Sequence, residues 1–178
     1  MDTVISTISG QAQLALIDAA ADVHVRRFVP SEFEGPPLQR PEIDPLDRGQ
    51  KMALAKLQEK QALGMEYTVF TCGVFYERFY PGGLEALQLG AGTNISGEGQ
   101  YILEVRRRTA SIPGHPSGDG VYICMTSAED VARYVVAALD IPYWPNQFLL
   151  ASERMKVDDI VAAAEVICGL FPRVLPVC

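Results

Sequence analysis

Three short apolar runs in this chain of 178 residues each stop at small or turn-forming residues. Val4 to Ile8 stops at Ser9-Gly10, and Val25 to Val29 stops at Pro30-Ser31-Glu32-Phe33-Glu34-Gly35. Tyr67 to Phe70 runs on through Thr71 into Cys72-Gly73-Val74-Phe75-Tyr76-Glu77-Arg78. Strand ends of this kind suit ligand binding, because small side chains let a ligand approach the backbone, and parallel sheets bind ligands outside the carboxyl ends of their strands. The chemistry is therefore expected at residues 6–10, 30–35 and 72–78. Other chemistries have no local support: the chain has no Gly-x-Ser-x-Gly elbow, no His-Glu-x-x-His pair and no Gly-Lys-Ser/Thr phosphate loop. None of its seven tyrosines has a lysine four residues later, so a Tyr-x-x-x-Lys acid pair is missing. Gly90-Ala91-Gly92-Thr93-Asn94-Ile95 begins like a dinucleotide fingerprint but lacks the third glycine and opens no helix, and reads as a loop.

The elements between these stops follow from periodicity. Residues 11–21 place Leu14, Ile17 and Ala21 on one helical face, and residues 49–63, free of glycine and proline after Gly49, carry Ala53, Leu54 and Leu57 as an apolar stripe. Four of the twelve prolines fall between Glu34 and Arg48, which makes that segment a long loop. Strand and helix alternate three times with short connections, the pattern of a parallel sheet. After Phe79 the character changes, with six glycines between Gly82 and Gly99, a strand-like Tyr101 to Val105, and a Pro/Gly loop. Ser127 with Asp130 makes a capping-box-like start to a helix reaching Leu139, with Val131, Val135 and Ala138 inward. A last helix is expected over 157–168, with Ile160, Ala164 and Ile167 as its stripe. The organisation read from this is α/β over 1–80 and a smaller α+β region, facing the substrate, over 81–178.

Composition narrows the function. Twenty-two acidic against fifteen basic residues give a net charge of -7, which disfavours a nucleic-acid surface, since phosphate binding draws on clustered Lys and Arg. Arg106-Arg107-Arg108 is the basic cluster, and reads as a solvated edge. Cys72, Cys124, Cys168 and Cys178 are widely spaced with no Cys-x-x-Cys, which reads as reduced thiols, and neither His24 nor His115 sits at metal-ligand spacing. No metal, no membrane span and a cytoplasmic location are the expectations that follow.

The order Val-Ile-Ser-Thr, Arg-Phe-Val-Pro-Ser-Glu-Phe, a lysine opening the next helix, Glu-Tyr-Thr-Val-Phe and a Phe-Tyr-Glu segment resembles the NmrA-like and isoflavone-reductase-like family of atypical short-chain reductases, over most of residues 2–168. The resemblance implies a Rossmann-like parallel sheet, of which this chain holds the later half, with part of a substrate region packed on it. It implies NADP(H) as cofactor, and hydride transfer to a small carbonyl or conjugated substrate, with secondary metabolism as the setting. By position, Lys51 matches the lysine beside the nicotinamide ribose and the reacting group, where an ammonium donates to an oxygen that gains charge. Ser6, Thr7 and Ile8 match the strand end that passes the adenosine ribose and pyrophosphate, and Pro30, Ser31 and Phe33 match the wall of the nicotinamide pocket. Cys72, Gly73, Phe75, Tyr76 and Glu77 match the loop that closes over the nicotinamide, with Phe75 and Tyr76 as aromatic cover. Glu32 is read as structural, its carboxylate accepting backbone N–H groups at the turn.

On this resemblance the chain enters the family pattern at its fourth strand, without the glycine-rich loop and first helix that bind the pyrophosphate. The expectation is that NADP(H) binds weakly or not at all. Val4 to Ile8 becomes an exposed sheet edge open to pairing with another copy. Two other readings stay open: a non-catalytic redox-sensing regulator that binds a partner protein, and a cofactor-independent cyclase or isomerase using the same cleft.

Overall fold

The computed structural model describes residues 2–44, 47–90, 95–114, 119–169 and 173–174. The expected loop over Gly90 to Ile95 lies partly, and His115 and Cys178 wholly, outside the described residues. Strands and helices follow in the order β1 (Thr3–Ile5), α1 (Gly10–Asp22), β2 (Arg27–Val29), α2 (Gln50–Gln61), β3 (Glu66–Tyr67), β4 (Val69–Thr71) and β5 (Val74–Phe75). Then come β6 (Leu103–Glu104), β7 (Thr109–Ser111), β8 (Tyr122–Thr126), α3 (Ala128–Ala138), β9 (Gln147–Leu149), β10 (Glu153–Lys156), α4 (Val157–Cys168) and β11 (Arg173–Val174). They form two compact units, one of Met1–Cys72 with Val131–Leu150, the other of Gly73–Asp130 with Ala151–Cys178. This partition differs from the division at residue 80 expected from the sequence. Residues 131–150 return to the first unit because β9 pairs in parallel with β4, Phe148 opposite Phe70.

In the first unit β1, β2 and β3 are parallel neighbours, with Val4 opposite Phe28 and Phe28 opposite Tyr67. β3 and β4 form one extended stretch with Thr68 between them. The Thr68 N–H donates to the Phe28 carbonyl (3.2 Å), and Val69 donates to Asn146 (3.1 Å), so β2 and β9 occupy opposite sides of that stretch. α1 and α2 share a core in which Ile17, Phe28 and Leu57 have no exposed surface. Burying a side chain of that size contributes roughly 1.5–3 kcal/mol. β1 ends the sheet among the described residues, with Ile5 42% exposed. It is shorter than the run to Ile8 expected from composition. The Ser6 hydroxyl donates to the Ile8 carbonyl (3.2 Å) and so turns the chain out of the ladder, a local bond that competes with strand pairing.

In the second unit β8 lies between antiparallel β10 and parallel β5, and α4 packs beside β10. Leu103, Ala110, Met125, Ile160, Val161 and Ala164 form its core. Three particulars differ from expectation. The strand over 101–105 shrinks to β6, which returns antiparallel to β7 through a turn made by the three arginines, with Arg107 paired to Glu104 (3.2 Å). The buried stripe of α4 is Val157, Ile160, Val161 and Ala164, whereas Ile167, in the last turn of the helix, is exposed. β8, β9 and β10 were not read from composition at all. α3 does begin as expected, the Ser127 hydroxyl accepting from Asp130 N–H (3.0 Å), and it buries Val131, Val135 and Ala138.

Candidate functional site

The strand ends of the first unit are drawn together by specific bonds. Ser6 is buried and its N–H donates to the Val29 carbonyl (2.8 Å), which ties the end of β1 to the end of β2. Ser31 N–H donates to the Gln13 side-chain carbonyl (2.6 Å), tying the turn after β2 to α1, and Cys72 N–H donates to the Glu34 carbonyl (3.0 Å), tying that turn to the end of β4. Gly10 (φ 66°) opens α1 and Gly49 (φ 91°) precedes α2, and a Cβ placed on Gly49 would lie 3.3 Å from the Gly10 Cα. Both glycines hold left-handed conformations that a side chain strains, and the pair lets the amino ends of two helices adjoin. Asp47 closes the second of those ends, its carboxylate accepting from Gly49 (3.0 Å) and Gln50 (2.8 Å) N–H groups.

Of the residues expected at the site, this unit holds Ser6, Thr7, Ile8, Pro30, Ser31, Phe33, Lys51 and Cys72. Thr7 and Ile8 are exposed and Pro30 is buried. Phe33 is half-buried and stacks on Phe70 (ring centroids 6.4 Å apart), which stacks in turn on Phe148 (5.2 Å). Lys51 stands exposed in the first turn of α2, and its ammonium donates to the carbonyls of Pro41 (2.7 Å) and Glu42. Burial pushes the Cys72 thiol up to about 12, with Glu34 and Glu32 adding to the shift, so it is a neutral thiol near pH 7 and no ready nucleophile.

The expected role of Glu32 needs correction. Its carboxylate accepts from the Arg40 guanidinium, not from backbone N–H groups, and Arg40 also reaches Glu34 (3.2 Å), which Arg48 holds as well (3.3 Å). Among the described residues no turn N–H bonds the carboxylate, while the guanidinium arrives from eight residues further along. Glu32 is buried, and burial raises its pKa from 4.5 to about 7 against the attraction of Arg40. A carboxylate raised in the folded state contributes stability that is complete below its unfolded pKa and lost as pH rises through the folded one. The unfolding free energy is therefore expected to fall by at most about 2–3 kcal/mol between roughly pH 5 and pH 8, and Glu32→Gln to flatten that slope in urea titrations. A wild-type slope as flat as the variant's would contradict this.

Gly73, Phe75, Tyr76 and Glu77 belong to the second unit. Gly73 lies against Cys124, and Phe75 pairs with Thr126 across β5 and β8. Tyr76 packs at the edge of that unit's core and its hydroxyl donates to Glu153 (3.2 Å); burial foremost, then this carboxylate, raise its pKa. The Glu77 carboxylate accepts from Ala128 N–H (2.9 Å) at the start of α3, where negative charge suits the helix dipole. Sequence reasoning missed Gln13, Arg40 and Phe148. A polar residue on a buried helix face, as at Gln13, was the available signal. Arg40 had none, being one arginine in an irregular loop. Among the described residues no three His, Cys, Asp or Glu side chains group to hold a metal, and no helix is long and apolar enough to cross a membrane.

Comparison with known proteins bears on this arrangement. The pinoresinol-lariciresinol and phenylcoumaran benzylic ether reductases superpose with a TM-score of 0.70 at 18% identity, over 98% of this chain and 55% of theirs. Isoflavone reductase gives 0.67 at 20% identity, over 98% and 55%. The chain has the fold of the isoflavone-reductase group. Leucoanthocyanidin reductase from Vitis vinifera shares this isoflavone-reductase-like fold with a TM-score of 0.66 at 20% identity, over 98% of this chain and 56% of that one, and has also been solved with NADPH. In sequence, Oxidoreductase BOA1 of Botryotinia fuckeliana (strain B05.10) is 30% identical over 167 residues, covering 93% of this chain and 51% of that protein. The chain thus spans about half the length of the proteins it matches. No family model matches it. The resemblance read from Pro30 to Phe33 and its neighbours, and the Rossmann-like α/β class, are borne out.

Proposed function

We propose that this chain is the nicotinamide-side half of an NADPH-dependent reductase acting on a small carbonyl or conjugated substrate in cytoplasmic secondary metabolism. The observation that carries the reading is the convergence of the β1, β2 and β4 ends with the adjoining starts of α1 and α2, Lys51 standing in the first turn of the latter. The similarity to an oxidoreductase and to reductases solved with NADPH supports it. The residues fit one end of the dinucleotide better than the other. Glu32, Glu34, Glu42, Asp44 and Asp47 outnumber Arg40, Arg48 and Lys51 in this region, an acidic balance that disfavours phosphates, whereas ribose hydroxyls and a carboxamide carry no charge to be repelled. NADPH, when bound, supplies the hydride.

Lys51 supplies the polarising donor. An ammonium has three N–H groups, and the Pro41 and Glu42 carbonyls occupy two of them, which leaves one for an oxygen that gains charge. Phe33, held by Phe70 and Phe148, gives the wall a rigid aromatic surface. Fluorescence titration with NADPH should give weak binding, with a Kd above about 100 μM. A low-micromolar Kd would overturn the claim that the described residues serve only the nicotinamide end. At saturating NADPH, Lys51→Ala is expected to lower the rate of NADPH oxidation roughly a hundredfold, the loss that follows removal of one preorganised donor. An unchanged rate would remove Lys51 from the reaction.

A further inference from the structure

We infer that Arg40 is a positioning residue for Lys51: gripped by the Glu32 and Glu34 carboxylates, it fixes the loop whose next two carbonyls hold the lysine ammonium. The inference rests on the reading above for why the position of Lys51 matters, but its geometry stands alone. Arg40 is nearly buried, its side chain 10% exposed, in the proline-rich loop between β2 and α2, which has few apolar anchors. Leu38 and Ile43, which flank it, are 95% and 88% exposed, so hydrophobic burial does not hold this stretch. The guanidinium does, by bonding Glu32 in the turn after β2 and Glu34 two residues on. Pro41 and Glu42 follow Arg40 directly in the chain, and their carbonyls point to the Lys51 ammonium, ten and nine residues ahead respectively.

A lysine side chain has four rotatable bonds and no preferred direction of its own on a helix surface. The two carbonyls supply that direction, and they keep their place only while Arg40 keeps its own. The charged groups acting on the Glu32 carboxylate are Arg40, which attracts it, and Glu34 and Asp47, which repel it. Arg48 offsets Glu34 from the far side. Below about pH 7 Glu32 takes up a proton, one of the two charges gripping Arg40 disappears, and the loop slackens.

Competitive acetylation of the intact chain, read residue by residue in a mass spectrometer, tests this without any cofactor. Lys56 and Lys60, both bonded to Asp18, serve as internal standards. Relative to them, Lys51 should label roughly three- to tenfold faster in Arg40→Ala than in wild type, the effect of freeing it from one or two hydrogen bonds. Arg40→Lys should restore part of the protection, and Glu32→Gln, isosteric and safer for folding, should give a Lys51 ratio independent of pH between about pH 6 and pH 8. In wild type that ratio should fall as pH rises through about 7. Equal Lys51 labelling in wild type, Arg40→Ala and Glu32→Gln would overturn the inference. The outcome is separable from the reductase reading: labelling that responds in a chain with no NADPH binding keeps the positioning and removes the activity, and the reverse removes the positioning alone.

Discussion

Arg27→Ala is expected to destabilise the protein by about 3–5 kcal/mol, more than any other side-chain truncation in the first unit. Arg27 sits in β2 with 2% of its surface exposed, and its guanidinium donates to the carbonyls of Leu139 (3.2 Å), Ile141 (2.9 Å) and Pro142 (2.6 Å). It also pairs with Glu66 (3.2 Å) and lies 4.6 Å from the centre of the Trp144 ring, whose N–H donates to Ala138 (2.8 Å). α3 ends at Ala138, where carbonyls lack intrahelical partners; Trp144 supplies a donor to Ala138, and Arg27 supplies donors to the turn that follows. Truncation strands these carbonyls beside a cavity, and each unsatisfied buried group costs about 1–3 kcal/mol. Thermal unfolding followed by circular dichroism should show a midpoint lower by roughly 10 °C or more. Arg27→Met, which fills the volume without the bonds, should recover less than half of the loss. Full recovery in the methionine variant would show that packing, not the polar staple, does the holding.

Gly73→Ala should be nearly as damaging to the second unit, with a loss of about 3 kcal/mol. A left-handed non-glycine residue costs roughly 1–2 kcal/mol by itself, and Gly73 has φ of 70°. The steric conflict adds to this, because a methyl group would sit 2.8 Å from the Cys124 carbonyl carbon and 3.0 Å from its Cβ. Cys124 belongs to β8, the middle strand of its sheet, so it does not yield easily. The displaced partner is β5, which pairs with β8 through Val74 and Phe75. Urea unfolding is the measurement. A variant as stable as wild type but unable to bind NADPH would instead make Gly73 a ligand contact, as the family resemblance implies.

The legible part of this protein and the illegible part divide along sequence separation. Where neighbouring residues decide the matter, three elements are legible in the sequence. The helix over 10–22 follows from Leu14 and Ile17, the long loop from its prolines, and the start of α3 from Ser127 and Asp130. In each case the partners lie within one or two turns, and backbone sterics and periodicity act at that range. The carboxyl-end clusters at residues 6–10 and 30–35 were legible for the same reason, as was the likeness carried by Pro30 to Phe33.

What the chain does with those elements was decided at long range. Gln147 to Leu149 is an unremarkable tripeptide that becomes a strand because β4, more than seventy residues earlier, offers it an unpaired edge. Arg27 is one of two adjacent arginines with equal local credentials. Strand alternation turns Arg26 out to Asp2 and sends Arg27 inward to the end of α3. Glu32 found a guanidinium where a turn of backbone N–H groups was expected, since a loop without periodicity conceals which of its charges will meet. The sequence by itself determined the alternation of strand and helix and the places where the strands end. The tertiary structure decided which buried charges staple those places together, because such a choice depends on desolvation and on donors that only the folded chain brings within reach.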